Sequence, residues 1–385
     1  MAQSSYAGLL FMDLTFVFPC LNEEKTLGQC IRAVRQSLDA AGSELDYEIV
    51  VADNGSSDRS VEIAEQIGAR IVAVQNRGYG AALKGGIEAS TGEYVMFADA
   101  DATYCYEDSL LLYRKAVMED ADMAIASRMT GCIEEGAMPF LHRHLGTPVL
   151  TKLINILFRG NLSDCNSGFR CIRKTAYERW NIRSTGMEFA SELLVKSLKD
   201  KAKTVEINSG LRRGPKGRTA HLRTWRDGMR HLLFIFSERP ELFELLGLVC
   251  AFVSTALQLL AYFLGPVNLL GLNIFDLHSK IVLLLVGLAG VQCYVFSCVL
   301  YLRGGLPVVR LTRGVINLDE GVLFFWLLIA LGIQAIVIGG IFVMWIWAGF
   351  GGLDLIDGLM LAVHLLSTLS VLAIGLLGIH ILKRT

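Results

Sequence analysis

The 385-residue chain lacks a CxxC pair, and its nine cysteines, Cys20, Cys30, Cys105, Cys132, Cys165, Cys171, Cys250, Cys293 and Cys298, follow no framework spacing. His142 and His144 are not spaced with them as in a zinc site, which argues against both a structural zinc centre and a disulfide scaffold. Reduced thiols buried as small hydrophobes are the expectation. Also missing are GxGxxG and GxxxxGK[ST] runs, so the usual dinucleotide and P-loop fingerprints are excluded. Met1 to Met12 has no basic leader, and Asp13 and then Pro19 interrupt the apolar stretch. That pattern is not a signal peptide, and the first part of the chain is expected to stay on the side of synthesis.

Composition divides the chain. At 53% hydrophobic and 19% charged, the mean is too greasy for a soluble protein and too polar for one made only of membrane helices. The charge lies mostly in residues 1–230, whereas residues 242–382 hold four long apolar runs. Three parts are expected: a soluble domain over 1–220, an amphipathic juxtamembrane segment over 221–241 and a membrane domain over 242–385.

In the first part, Leu14 to Phe18 reads as a strand stopped by Pro19. Leu27, Ile31, Val34 and Leu38 then recur at helical spacing. The run EIVVA within Tyr47–Ala52 predicts a strand covered on both faces, as in a parallel sheet. Further strands are predicted over Ala69–Val74 and Glu93–Phe97, with a helix from Gly80 to Ser90 between them. Successive strand–helix units with short connections give an α/β fold with a mostly parallel sheet. In such a sheet ligands bind beyond the carboxyl ends of the strands, where Asp53, Asp99 and Asp101 fall. DADATY at 99–104 comes directly after the strand YVMF. Two carboxylates at i and i+2 on a sharp turn suit a hard divalent cation that bridges two phosphates.

VFPCLNEE (17–24), VADNGSSD (51–58), NRGYGAALKGG (76–86) and DADATY (99–104) together resemble the family 2 inverting glycosyltransferases, which have a nucleotide-sugar-binding domain of GT-A type. SDCNSGFRCIRK (163–174) and TGMEFASELLVKS (185–197) resemble the polyprenyl-phosphate branch, with its dolichyl-phosphate mannose and glucose synthases and bacterial undecaprenyl-phosphate glucosyltransferases. The resemblance implies a nucleotide-sugar donor, a polyprenyl phosphate acceptor and Mg²⁺ or Mn²⁺ on Asp99 and Asp101. It places Pro19, Asn22 and Glu23 around the base, Asp53 on base or ribose, and Lys84 among the nucleotide-binding residues. Thr103 stands where relatives often have a third ligand, Gln.

On the acceptor side the resemblance assigns Arg128 and Arg170 to the lipid phosphate. Arg213 and Arg218 fall in RRGPKGRT, a segment like the family's basic loop, although the RxxGxSK spacing is not reproduced. Asp164 is expected to orient a sugar hydroxyl or an arginine. Glu188 and Glu192 share a helical face as orienting or structural groups, because a phosphate nucleophile needs alignment and leaving-group stabilisation rather than a strong base.

Eight Lys or Arg lie between residues 203 and 230. Their position just before apolar runs, interleaved with Trp225, Met229, Leu232, Leu233 and Phe236, favours an anionic membrane surface over nucleic acid. Four spans are predicted, at 242–264, 281–302, 322–347 and 359–382. Arg303, Arg310, Arg313, Lys383 and Arg384 flank one side, while Lys280, Asp276, Asp354 and Asp357 are expected in the opposite loops. Both termini and the catalytic domain are therefore expected to be cytoplasmic, at an inner membrane or endomembrane. Gly287 with Gly290, or Gly339 with Gly340, could serve close helix packing, including packing of a homo-oligomer, or reflect the ordinary abundance of glycine in spans. Two rivals are weaker: a processive polysaccharide synthase, which would carry QxxRW where this chain has only ERW at 178–180, and a non-catalytic scaffold or flippase partner.

Overall fold

The structure is a computed structural model that describes residues 12–215, 224–269, 272–304, 308, 310–349 and 356–384. It has two compact units, Met1–Ile235 and Phe236–Thr385.

The first unit is built on a seven-stranded sheet. Its strands are β1 (Leu14–Cys20), β2 (Tyr47–Asp53), β3 (Arg70–Ala73), β4 (Tyr94–Phe97), β5 (Met123–Ser127), β6 (Arg170–Arg173) and β7 (Thr204–Asn208), in the order β3-β2-β1-β4-β6-β5-β7. Only β6 runs antiparallel, to both β4 and β5. Alternation along β1 explains the two-sided burial. Leu14, Phe16 and Phe18 join one core with helix α1 (Leu27–Asp39), whereas Val17 joins the other with Val50, Ala52 and Leu83 of α3 (Tyr79–Ala89). Between α1 and α3 lies α2 (Ser60–Gln66). The later helices of this unit are α4 (Ser109–Met118), α5 (Thr147–Phe158), α6 (Lys174–Trp180), α7 (Phe189–Lys199) and α8 (Thr224–Ser237). The strands β2, β3 and β4 agree with the sequence reading to within a residue, whereas β1 runs on through Pro19 to Cys20 instead of stopping at Pro19, because Pro19 and Cys20 still pair in register with Ala52 and Asp53 of β2.

Within α8, Ile235 is buried in the α3-side core, Phe234 packs against that core, and the His231 ring shares a 2.7 Å hydrogen bond with Ser191. Protein therefore occupies one side of a helix that the sequence assigns to a membrane surface. Met229 and Leu233 stay exposed.

The second unit contains four helices long and apolar enough to cross a membrane: α9 (Pro240–Leu264), α10 (Leu277–Gly304), α12 (Glu320–Trp347) and α13 (Ile356–Arg384). This makes the chain a multi-pass membrane protein. The short α11 (Arg310–Ile316) lies between α10 and α12, and a hairpin of Val267–Leu269 with Leu272–Ile274 comes after α9. The two glycine pairs behave differently. A Cβ on Gly290 would lie 2.6 Å from the Ala251 nitrogen and one on Gly287 would lie 2.6 Å from the His364 ring, whereas one on Gly339 or Gly340 would meet nothing within 4 Å among the described residues. Gly287 and Gly290 thus permit the close approach of α10 to its neighbours.

Lys280 departs from its expected loop position. It lies in the first turn of α10, buried, and is ion-paired with Asp357 of α13. Glu244 of α9 is also buried and accepts hydrogen bonds from Tyr301 and Thr312. Both charges persist in an apolar unit because partners replace the water they lose.

At one end of the sheet, the Glu48 carboxylate accepts hydrogen bonds from Thr15, Thr91 and both nitrogens of the Arg70 fork, at 2.7–2.9 Å. Burial alone would raise its pKa, but Arg70, Thr91 and Thr15 outweigh it and bring the pKa down to about 2. A carboxylate depressed in the folded state contributes stability that is full above its unfolded pKa, near 4.5, and lost as pH falls towards 2. Glu48→Gln is expected to lower the thermal midpoint of the purified protein by about 3 °C at pH 7. The gap to the wild type should begin to narrow below pH 4.5 and close only as pH approaches 2 in the same thermal scans.

Candidate active site

The loops that leave β1, β2 and β4 converge at the carboxyl edge of the sheet, and polar side chains tie them together. Asn22, in the left-handed region at φ 58°, accepts a hydrogen bond from the Ser57 backbone at 2.8 Å, while the Asn22 backbone donates to Ser56 at 3.0 Å. Glu23 donates its backbone N–H to Ser60, and its side chain accepts from Thr26. Pro19 is buried in β1 opposite Ala52. The Asp53 carboxylate accepts from the backbone nitrogens of Gly55 and Ser56 at 3.1 Å each, which curls the loop over the strand end. Asp53, Asn22 and Glu23 therefore belong to one interlocked pair of loops.

Asn54 was not singled out by sequence reasoning, yet it fastens the next segment. Its amide donates to the carbonyls of Val74 and Asn76, and its oxygen accepts from Gly78. Gly78 has φ 135°, and a Cβ there would sit 2.2 Å from the Thr185 carbonyl. Only glycine fits this approach. The start of α3 is thereby pressed against the loop before α7. Lys84 is half-buried on α3.

The DADATY turn is a second tightly held unit. Ala102 takes φ 60°, a strained conformation for alanine. Asp101 accepts hydrogen bonds from both the backbone and the hydroxyl of Thr103, at 3.0 and 2.6 Å. The Thr103 hydroxyl thus orients Asp101. Around Asp99 stand three tyrosines. Tyr106 donates to its carbonyl at 2.5 Å, and Tyr79 bonds its carboxylate. Burial first, then the Asp99 charge, pushes the Tyr79 phenol well above its ordinary pKa. The Tyr104 hydroxyl accepts from the Gly168 backbone at 2.7 Å. A Cβ on Gly168 would lie 2.9 Å from that hydroxyl and 3.2 Å from Asp99 Oδ2, so the bare glycine leaves the space that Asp99 and Tyr104 occupy. The tyrosines and Gly168 were not picked out as a group, because they come from three separate segments.

Among the described residues no group of three or more His, Cys, Asp or Glu could hold a metal ion. Two carboxylates from one turn complete a hard cation's shell only when phosphate oxygens and water join them. Such a donor set fits Mg²⁺ or Mn²⁺ held between Asp99, Asp101 and a diphosphate.

The arginines divide by environment. Arg128 forms a bidentate pair with Asp164, Nε–Oδ2 2.7 Å and NH2–Oδ1 2.9 Å, and its backbone donates to the same carboxylate. Burial acts to raise the Asp164 pKa, but the Arg128 charge and hydrogen bonds prevail and hold it below the usual carboxylate value. Arg170, expected at the lipid phosphate, is fully buried. It donates to the carbonyls of Ser167, Ala190 and Cys165 at 2.8–3.1 Å, so it clamps the SGFR turn to α7. Glu192 is similarly inward, accepting from the backbones of Arg183 and Ser184 and paired with Lys196. Glu188 stands at the N-cap position of α7 without a side-chain capping bond, and one of its carboxylate oxygens is buried.

Arg212 and Arg213 are exposed, at the start of the basic segment. The Arg212 backbone donates to the Thr103 carbonyl at 2.7 Å, and Leu211 bridges Tyr104 on one side and Ile133 on the other. The Arg213 backbone donates to Glu134. This strip brings exposed cations beside the DADATY turn. Lys216 and Arg218 lie outside the described residues. A groove of about 440 Å³, lined in part by Met129, Lys152, Ile156 and Ser163, lies beside the Arg128–Asp164 pair.

Because the Gly168 position is set by contact with Asp99 and Tyr104, Gly168→Ala is expected to displace the first carboxylate. Nucleoside diphosphate affinity measured by calorimetry with Mn²⁺ should fall at least about tenfold, or 1.4 kcal/mol, while the thermal midpoint changes by only a few degrees.

A family model described as "Glycosyl transferase family 2" matches residues 15–180. The low-salt glycan biosynthesis hexosyltransferase Agl6 of Haloferax volcanii is 37% identical over 286 residues, which are 74% of this chain and 67% of that protein. A dolichyl-phosphate hexose transferase of the same organism is 29% identical over 188 residues, 48% of this chain and 77% of its own. Glucosyl-3-phosphoglycerate synthase from Mycobacterium tuberculosis superposes with a TM-score of 0.47 at 19% identity, over 59% of this chain and 80% of that one.

Proposed function

We propose that this chain, which belongs to glycosyl transferase family 2, transfers a hexose from a nucleotide-sugar to a polyprenyl phosphate at the membrane surface. The observation that carries the reading is the joining of two strips: the DADATY turn, with its oriented carboxylates, and the Leu211–Arg213 segment, with exposed cations, hydrogen-bonded to it. A donor diphosphate needs the first and an anionic acceptor the second. Likeness to a dolichyl-phosphate hexose transferase and four membrane-length helices support a lipid acceptor.

In this reading the interlocked loops of Asn22, Glu23 and Asp53 form the nucleotide end, and Asn54 fixes the α3 start that faces the donor. Asp99 and Asp101 would hold Mg²⁺ or Mn²⁺, which when bound offsets the charge of the departing diphosphate. Tyr79, Tyr104, Tyr106 and Thr103 keep the two carboxylates in place, so little reorganisation accompanies the reaction. Arg213, with Arg212 and Arg218, steers the acceptor phosphate. That phosphate is already anionic and attacks the anomeric carbon without a general base, while the bond to the diphosphate breaks on the opposite face. The product is a β-linked sugar when the donor is α-linked. Arg128–Asp164 and Arg170 act through the loops they brace. The site faces the cytoplasm, since the basic flanks of the spans mark that side. Glucose is the favoured sugar and mannose the next, on the resemblance of TGMEFASE to glucosyl-type relatives.

The test is the purified full-length protein in detergent, given undecaprenyl or dolichyl phosphate and a panel of UDP- and GDP-hexoses. We expect one donor to dominate. Asp99→Asn and Asp101→Asn should each lose at least about 100-fold in turnover, comparable to removing about 3 kcal/mol of transition-state stabilisation, with the thermal midpoint retained. Full turnover by metal-stripped protein in excess EDTA would overturn the metal assignment. Proton NMR of the lipid product should show a β anomer, and an α anomer would refute single displacement.

A further inference from the structure

We infer that Glu134, in the loop after β5, is a positioning residue of the acceptor site: its carboxylate fixes the backbone from which Arg213 presents its guanidinium to a phosphomonoester. Its role rests on the lipid-phosphate acceptor proposed above, and the residue lies outside every family-like motif in the sequence. Leu211–Arg213 continues past the end of β7 and is held by isolated pairings rather than by a ladder. Three successive amides hold it, to alternate sides. Leu211 donates to the Cys132 carbonyl at 3.0 Å, Arg212 to the Thr103 carbonyl at 2.7 Å, and Arg213 to Glu134 Oε2 at 2.9 Å. The first two acceptors are main chain, so only the third depends on a side chain.

Glu134 is itself anchored. Its N–H donates to the Leu211 carbonyl at 2.9 Å, its carbonyl accepts from Ala137 at 3.0 Å, and Ala137 and Met138 pack against the core on the α1 side. Upstream, Gly131 approaches the strip so closely that a Cβ there would stand 1.6 Å from the Ser209 carbonyl. The carboxylate therefore starts from a fixed main chain, which is the preorganisation that a positioning role requires. Acidic neighbours divide the two arginines. Arg212 directs its guanidinium at Glu107, with NH1 2.9 Å from Oε1. Among the described residues no carboxylate pairs with the Arg213 guanidinium, whose Nε and Cζ lie 3.8 Å from where a Cβ on Gly136 would stand. Glu134 thus takes the Arg213 amide and leaves the charged fork to an anion. A carboxylate near an incoming phosphate also repels it. Anchoring and repulsion separate in a variant that keeps the acceptor oxygen and loses the charge.

Glu134→Gln is that variant, whereas Glu134→Ala removes both, and the residue is exposed, so the fold survives either change. The experiment uses the full-length protein in detergent with its preferred nucleotide-hexose and the faster of undecaprenyl and dolichyl phosphate, beside Arg213→Ala. We expect Glu134→Ala to raise the KM for the lipid phosphate at least about fivefold, as for the loss of one charge-assisted hydrogen bond, while kcat and the donor KM stay within about twofold. Glu134→Gln should match or improve on the wild-type acceptor KM. Hydrogen exchange followed by mass spectrometry gives a readout without sugar transfer: the Arg213 amide should exchange at least about fivefold faster in Glu134→Ala than in the wild type or in Glu134→Gln. Equal acceptor KM values for the two Glu134 variants would overturn the inference, as would unchanged exchange at Arg213 or a fall in kcat that marks general damage. A wild type inactive with every hexose donor would fail the proposed reaction and the acceptor role of Glu134 with it. An active wild type and an impaired Arg213→Ala beside an unimpaired Glu134→Ala would fail this inference alone.

Discussion

The backbone hydrogen bond from Arg212 to the Thr103 carbonyl, with the Tyr104–Leu211 bridge beside it, is the constraint on which the site depends. More than 100 residues separate these segments, yet their main chains fix each other. One segment carries carboxylates that suit a metal-bound diphosphate, and the other carries exposed cations. Side-chain contacts alone would let long arginines wander, since exposed ion pairs hold geometry weakly. Backbone pairing places the start of the cationic strip at a set distance from Asp101, and a distance fixed before substrates arrive removes part of the entropy cost of joining two anionic reactants.

Buried charge holds the rest of the frame. Among the described residues no carboxylate hydrogen-bonds Arg170, and its charge is solvated by three carbonyls. Arg128 and Asp164 solvate each other. Burying such groups costs several kcal/mol per ion, and removing one partner of a buried pair typically costs about 3–5 kcal/mol. These arrangements add little net stability over apolar packing. Their effect is specificity: a carbonyl fork around one guanidinium admits few alternative loop conformations, and the loop in question contains Gly168, which packs against Asp99.

Much of this was legible in the chain. The apolar runs in Leu14–Phe18 and Tyr47–Ala52 disclose strands, and a carboxylate at a strand end discloses a ligand edge, because both depend on local composition and on parallel-sheet topology. Side-chain direction was not legible. Arg170 and Arg213 are both basic residues in family-like motifs, but Arg170 turns inward because carbonyls from residues 165, 167 and 190 converge on it, a convergence no local pattern records. Likewise Asn54, Tyr79 and Gly168 act together only after the loops of four strands meet. The glycine pairs make the same point: Gly287 with Gly290 and Gly339 with Gly340 are alike in sequence, and only the presence of a neighbouring helix separates them.

The membrane unit is less uniformly apolar than its hydropathy suggests. Glu244, Ser254, Gln258, Lys280 and His364 are all buried within spans, and each would be costly alone in hydrocarbon. Glu244 is held by Tyr301 of α10 and Thr312 of α11. Lys280 binds Asp357, and His364 binds Thr255. Each tie joins different helices. In a bilayer, where lipid is as apolar as leucine, the hydrophobic effect gives neighbouring helices little reason to choose one partner or rotation over another. Polar pairs do, because any other rotation would leave a buried charge unpaired. The close glycine contacts of α9 with α10 bring the backbones near enough for this pairing, so small residues and polar residues act as one device: the former allow approach, and the latter decide which face approaches which.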